Sequence, residues 1–398
     1  MAPEAVGVHV GLNLIFLVPG ETGGMEVAAR ELIPALLSQA PAGMRFTAFI
    51  NREASESHDG PWGQLLPAVT VPVRARDRVQ WVAGEQALLP LLGARAGVDL
   101  MHSLASTAPL WGPFRRVVTV HDLIFARFPE AHLGFREKGM RVLVPGAARR
   151  SDRVIADSQS TRRDLIELTR LDADRIDVVP LGLGNVRRAE PLADAETRRR
   201  FDLGERRVVL SLSAKRPHKN LAALIDALKE IPRERRPLLV LPGYPTWHEA
   251  ELRERARAAG LAGDVRFLGW LSGEEIESLW ALSEAFVFPS LYEGFGLPVL
   301  EAMARGVPVA CANASSLPEV AGEAALLFDP YDRGAIARAI ERLLGEPELA
   351  ARLRALGRER ARLFTWERAA RLTLESYAAA LSRPASPSRP GATPPAPA

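Results

Sequence analysis

EAFVFPS (284–290), followed after Leu291 by YEGFGLPVLEAMARGVPV (292–309), is the stretch whose reading decides the fold. The first run is apolar and ends at Pro289-Ser290, the pattern of a parallel strand buried on both faces. Pro298 and Gly306 then bracket Val299, Leu300, Ala302 and Met303. Proline at the first helical position and glycine just past the last mark the two ends of a short helix. A second apolar run, VPVACA (307–312), follows. The order is strand, glycine loop, helix, strand. It puts Glu293 in the loop at the strand's carboxyl end and Glu301 in the helix's first turn, where open α/β sheets bind ligands. Singly, each residue has a plain explanation. Glu301 reads as an acid favoured by the positive end of a helix dipole, Glu293 as a solvated loop charge, and the glycines as a tight turn. The joint pattern has to be weighed against the rest of the chain.

Outward from that stretch, short apolar runs alternate with helical patterns twice over. The first half offers VGVHV with LIFLV, then RFTAFI, VDLMHS, RVVTVHD, RVIADS and IDVVP as strands, with helical patterns at 26–40 and 160–170. The second half restarts with RVVLSLSA, PLLVLPG, VRFLG, AFVFPS, VPVACA and AALLFDP. Alternation at this spacing predicts parallel sheets with helices on both faces. Between the halves, GNVRRAEPLADAETRRRFDLGER (184–206) is charged and poor in large apolar residues, and reads as a linker with a short helix. The expected organisation is an α/β protein of two Rossmann-like domains, 1–183 and 207–365, facing each other across a cleft. A length of 398 residues is ample for two separate cores.

Composition removes several function classes. A formal charge of +3 gives nucleic-acid binding no support. The single Cys311, inside an apolar run, makes no disulfide framework or thiolate metal site and fits a reducing cytoplasm. The opening MAPEAVGVHVGLNLIFLVPGE lacks the basic residues of a signal peptide, and no run of about eighteen uncharged apolar residues continues anywhere to span a membrane. The proline-rich stretch 383–398 carries no large apolar side chain and is expected to be disordered. REKGMRVLVPGAARRSDR (136–153) combines six basic residues with an apolar segment. It reads either as a plain helix with a solvated face or as a peripheral contact with an anionic membrane.

Four further motifs fall at strand ends. In ETGGMEVAARELI (21–33), Gly23 and Gly24 precede a helix, where backbone N–H groups can approach a phosphate or sugar. This is not the glycine fingerprint of a nicotinamide site. TVHDLIFARFPE (119–130) puts His121 and Asp122 directly after a strand, and His102 in DLMHS occupies the same edge one strand over, in reach of an acceptor or simply a structural hydrogen-bonder. SLSAKRPHKNLAALIDAL (211–228) brings Lys215, Arg216 and Lys219 into one loop ahead of a helix capped by Asn220. Three cations there describe a diphosphate site better than a solvated charge run. FLGWLSGEEIESLWALS (267–283) offers main-chain groups around Trp270 that could hold a base.

Together with SDRVIADSQSTRRDL and SSLPEVAGEAALLFDP, these motifs resemble, in order and spacing, the family-4 retaining glycosyltransferases of GT-B fold, over nearly the whole chain to about residue 382. The resemblance implies that Glu293, with Gly294 and Phe295, contacts the donor sugar and that Glu301 contacts the nucleotide ribose. It implies a diphosphate held by Arg216, Lys219, Gly24, Gly296 and Leu297, and a base beside Trp270 and Leu271. His121 would lie beside the reacting sugar and act with Glu293 in catalysis, and the segment 366–382 would cross back onto the first domain. Many members carry an arginine where this chain has Ser213, so the second cation is assigned to Arg216. HDLIFARFPE and SSLPEVAG most resemble the mannosyltransferase branch, which implies GDP-mannose as co-substrate, a glycan or lipid-linked acceptor, and no cofactor or metal. Three readings compete: another GT-B enzyme such as a sugar-nucleotide epimerase or phosphorylase, a two-lobed sugar-binding protein, and a nicotinamide dehydrogenase.

Overall fold

The computed structural model of the chain describes residues 7–57, 60–128, 135–184 and 189–383. The proline-rich stretch expected to be disordered therefore lies, from residue 384 on, outside the described residues.

The first sheet contains β1 (His9–Leu14), β2 (Arg45–Ile50), β3 (Ala68–Thr70), β4 (Leu100–Ser103), β5 (Arg115–Val120), β6 (Arg153–Ala156) and β7 (Ile176–Val178). They run parallel in the order β3-β2-β1-β4-β5-β6-β7. The second holds β8 (Val208–Leu210), β9 (Leu238–Leu241), β10 (Val265–Phe267), β11 (Ser283–Phe288), β12 (Val309–Ala312) and β13 (Ala325–Phe328), parallel in the order β10-β9-β8-β11-β12-β13. Val208, Val209 and Leu210 of β8 and Phe286, Val287 and Phe288 of β11 are buried, as strands covered by helices on both faces must be. Each sheet reverses its winding beside its first strand, between β1 and β4 and between β8 and β11. Open α/β sheets form a ligand crevice at that reversal, outside the carboxyl ends.

Three expectations change. LIFLV adds only Leu14 to β1. Ile15 and Leu17 are buried in a loop, and Asn51 Nδ2 donates to their carbonyl oxygens at 3.0 and 2.7 Å in place of a ladder. The expected linker carries its short helix at Asp194–Arg200, but its last part belongs to the second domain, with Phe201 and Leu203 buried in that core. The third is His102. It is fully buried, accepting or donating to Tyr377 Oη at 2.7 Å and Thr119 Oγ1 at 2.8 Å, and burial pushes its pKa down to about 3. It is a core hydrogen-bonder, out of reach of any acceptor.

Tyr377 belongs to the helix Trp366–Ser382, whose Trp366, Ala370 and Tyr377 are buried in the first core. The chain's final described helix thus crosses back and ties the two domains. The basic stretch at 136–153 forms the helix Phe135–Arg150, with Val144, Ala147 and Ala148 buried against the first domain and Val142 exposed. Among the described residues no helix is long and apolar enough to cross a membrane.

Candidate active site in the interdomain cleft

The loops after β8 and β11 meet where the second sheet reverses. Lys219 Nζ donates to Glu293 Oε1 at 2.6 Å across that junction, with both side chains largely buried. Main-chain and side-chain bonds set the register. Leu291 N donates to His218 O at 2.8 Å, and Asn220 Nδ2 donates to Pro289 O and Pro330 O at 3.2 and 2.8 Å. Asn220 is therefore a cross-brace: it has a left-handed φ of 55° and makes no side-chain cap, contrary to the sequence expectation.

The EGFG loop is held from behind by the serines of SSLPE. Ser315 Oγ donates to Glu293 O at 2.5 Å, and Ser316 Oγ donates to Glu293 O and Phe295 O at 3.0 and 2.7 Å. Phe295 turns its ring into the core, 5.7 Å from that of Phe364, so only its main chain is left to meet a sugar. Gly296, at φ 112°, precedes the helix Leu297–Arg305, which starts one residue earlier than the sequence suggested. Glu301 consequently sits in the second turn, and the helix has no acid in its first. Its plain explanation as a dipole-favoured first-turn acid is lost, because that interaction fades beyond the terminal turn.

Lys215 is the clearest correction. Its side chain is fully buried, with Nζ donating to Gly243 O at 2.5 Å and Leu268 O at 2.8 Å. Those two bonds hold the ammonium inside the second domain. Of the three loop cations, Arg216 and Lys219 are the ones left half-buried.

The first domain contributes His121 from the end of β5. Its Nδ1 is 2.7 Å from Asp157 Oδ2, and its Nε2 is 2.7 Å from Leu104 O. Both neighbours are acceptors, so both ring nitrogens must carry protons. Burial by itself lowers the imidazole pKa, but the Asp157 charge and hydrogen bond, with the Leu104 carbonyl and Asp122, outweigh it and raise it from 6.5 to about 9. His121 is an imidazolium at neutral pH and no general base. The raised value means the pair's contribution to stability is complete below pH 6.5 and is lost as pH rises through 9. Calorimetric unfolding should show wild type ahead of Asp157→Asn by about 3 kcal/mol at pH 6, a gap that narrows by pH 10. A gap independent of pH would mean that the ring is neutral.

The two halves touch through main chain and through side chains. A Cβ on Gly294 would stand 1.8 Å from His121 O, and Thr161 Oγ1 donates to Gly294 O at 3.2 Å. Tyr292 Oη donates to Asp164 Oδ2 at 2.6 Å and accepts from Leu123 N at 3.3 Å. Glu319 accepts from Gln159 N and Ser160 N, capping the helix Gln159–Thr169 of the opposite domain at 3.0 and 3.2 Å. The structure thus brings Lys219, Glu293, Gly294 and His121 together. Gly24 opens the helix Gly24–Gln39 after β1, with nothing within 4 Å of an added Cβ. Trp270, 74% exposed, and the half-buried Leu271 follow the edge strand β10. Sequence reading missed Asp157, Thr161, Tyr292 and Glu319 as parts of the site. Only Asp157 left a signal, at the end of a strand beside His121.

A profile described as Glycosyl transferases group 1 matches residues 194–360, and one described as Glycosyltransferase Family 4 matches residues 22–183. The O-antigen chain mannosyltransferase B of Escherichia coli is 33% identical over 267 residues, covering 66% of this chain and 70% of that protein. This chain belongs to the family-4 glycosyltransferases. The glycosyltransferase is also 31% identical over 318 residues to the MMP alpha-(1->4)-mannosyltransferase of Mycolicibacterium hassiacum, covering 74% of this chain and 73% of that one. Among solved structures, the sucrose-phosphate synthase of Thermosynechococcus elongatus superposes with a TM-score of 0.74 at 22% identity, covering 93% of the glycosyltransferase and 98% of the synthase. That likeness speaks for the two-domain GT-B fold alone.

Proposed function

We propose that the glycosyltransferase moves a hexose, with retention of configuration, from a nucleotide sugar to a glycan or lipid-linked acceptor of a cell-envelope polysaccharide. GDP-mannose is the donor we favour, supported by the two relatives named as mannosyltransferases. The observation that carries the reading is the Lys219–Glu293 pair at the reversal of the second sheet, a cation and an acid placed where a diphosphate and its sugar would adjoin. On binding, Lys219 and Arg216 neutralise the diphosphate, and Glu293 turns to the sugar hydroxyls. Glu301 takes the ribose, and the loop of Trp270 and Leu271 takes the base. The bond from the sugar's anomeric carbon to the diphosphate oxygen breaks, and the acceptor oxygen bonds that carbon on the same face. The acceptor's proton passes to the departing phosphate. Charge stabilisation of that leaving group is the main catalytic task, and protein cations can perform it without a divalent metal. The His121 imidazolium adds fixed positive charge from the opposite domain. The enzyme would work in the cytoplasm, peripherally at the inner membrane face when the acceptor is lipid-linked.

Titration calorimetry with GDP and UDP in EDTA-containing buffer tests this. Lys219→Ala and Arg216→Ala are each expected to weaken the preferred nucleotide by about 1.5–3 kcal/mol, the cost of a lost charge-assisted hydrogen bond. Unchanged affinity in both would reduce the loop to a solvated charge cluster. Release of free GDP or UDP from the sugar nucleotide without any acceptor would instead favour an epimerase-like reaction.

A further inference from the structure

Lys215 is fully buried, yet it is bonded to neighbouring loops through its main chain as well as its side chain. Its N donates to Tyr244 O at 3.4 Å and its O accepts from Thr246 Oγ1, while Nζ donates to Gly243 O at 2.5 Å and Leu268 O at 2.8 Å. Gly243, at φ 121°, lets the two loops lie backbone on backbone, since a Cβ there would stand 2.3 Å from Ser213 O. Gly243 N in turn donates to Gly269 O at 3.2 Å. The loops after β8, β9 and β10 are therefore sewn together around one ammonium group. Arg216 and Lys219 continue the chain from Lys215 in the first of these loops, and Trp270 follows Leu268 and Gly269 in the last.

We propose that Lys215 is a positioning residue, whose buried ammonium fixes the spacing between the diphosphate-binding cations and the base-binding loop. The proposal rests on the donor-site reading given above. An apolar side chain of the same length could fill the volume but would leave the Gly243 and Leu268 carbonyls without their donor, and a polar group stripped of its partner is costly. The charged groups facing the ammonium are Glu249, with Oε2 at 4.0 Å, and Arg253. Burial draws the Lys215 pKa down to about 8, with Glu249 opposing and Arg253 adding to the shift, so the group is cationic at neutral pH.

The test compares wild type, Lys215→Met and Thr246→Val by calorimetry with GDP, donor KM and kcat, thermal unfolding, and hydrogen exchange of the 243–247 and 268–270 amides. Folded Lys215→Met should raise the GDP Kd and the donor KM at least about tenfold while kcat at saturating donor changes less than about threefold, the signature of lost uniform binding. Thr246→Val, which removes one stitch and keeps the charge, should raise both about threefold, and it carries the test if Lys215→Met does not fold. Faster exchange in the two loops should accompany the loss. Unchanged Kd and KM in folded variants, with only a lower unfolding temperature, would overturn the proposal by making Lys215 a core residue and nothing more. If wild type binds neither GDP nor UDP while the loops still lose protection in Lys215→Met, the donor-site reading fails and the suture stands.

Discussion

Glu293→Ala is expected to bind GDP at least as well as wild type while losing transfer by roughly tenfold to a hundredfold or more. A nucleoside diphosphate has no sugar for Glu293 to hold, so its affinity has nothing to lose. It has something to gain, because the carboxylate 2.6 Å from Lys219 Nζ is removed and that cation is released to the phosphates. Glu301→Ala should fail differently, weakening GDP and the intact donor by a similar factor, since a ribose contact is made equally in ground and transition states. The plain alternative for Glu301 predicted a few tenths to about 1 kcal/mol of helix-dipole stability. Its place in the second turn removes most of that expectation. GDP affinity and transfer rate, measured on both folded variants, separate the cases. Small, equal effects at the two positions would return the stretch to a turn and a helix start.

Gly294→Ala should cost about a hundredfold in transfer with GDP affinity nearly intact, because a misplacement of about 1 Å at a reacting centre is worth that much. The added Cβ would lie 1.8 Å from His121 O and 3.1 Å from Asp122 Cβ. The nearer obstacle is main chain, which cannot rotate away as a side chain can. The domains have to part instead, loosening the Thr161–Gly294 bond and moving the His121 imidazolium away from the donor loop. GDP contacts drawn from the second domain alone are spared. Gly263→Ala, where nothing lies within 4 Å of the new Cβ, serves as the control. Full transfer activity in Gly294→Ala would show that the two domains need not touch at this point during the reaction.

Much of this was legible in the chain because strands and helices have periods. The buried runs FTAFI, VVTV, LLVL and AFVF could hardly be anything other than parallel strands, and loops at their carboxyl ends had to face a crevice. That reasoning puts His121, Lys219 and Glu293 in loops after strands of the two sheets. It missed β3, three partly exposed residues on an edge, where no buried period builds up. It also extended β1 into LIFLV, because an apolar run looks the same whether a ladder or Asn51 satisfies its backbone.

Loops have no period, and here sequence reading stopped. Lys215 and Lys219 are four residues apart in one loop, yet one ammonium is buried among carbonyls while the other meets Glu293. Nothing in KRPHK tells them apart. His121 owes its charge to Asp157, 36 residues on, and the first two amides of the helix Gln159–Thr169, which Ser158 caps locally, find their acceptor in Glu319, 160 residues beyond Gln159. The amino-acid sequence by itself determined the two-domain architecture, the strand ends that carry chemistry and the family to which the chain belongs. Which carboxylate faces which cation, and which lysine turns inward, was decided only by the tertiary structure, because electrostatic partnership depends on distance in space and a loop's path through space is set by everything packed around it.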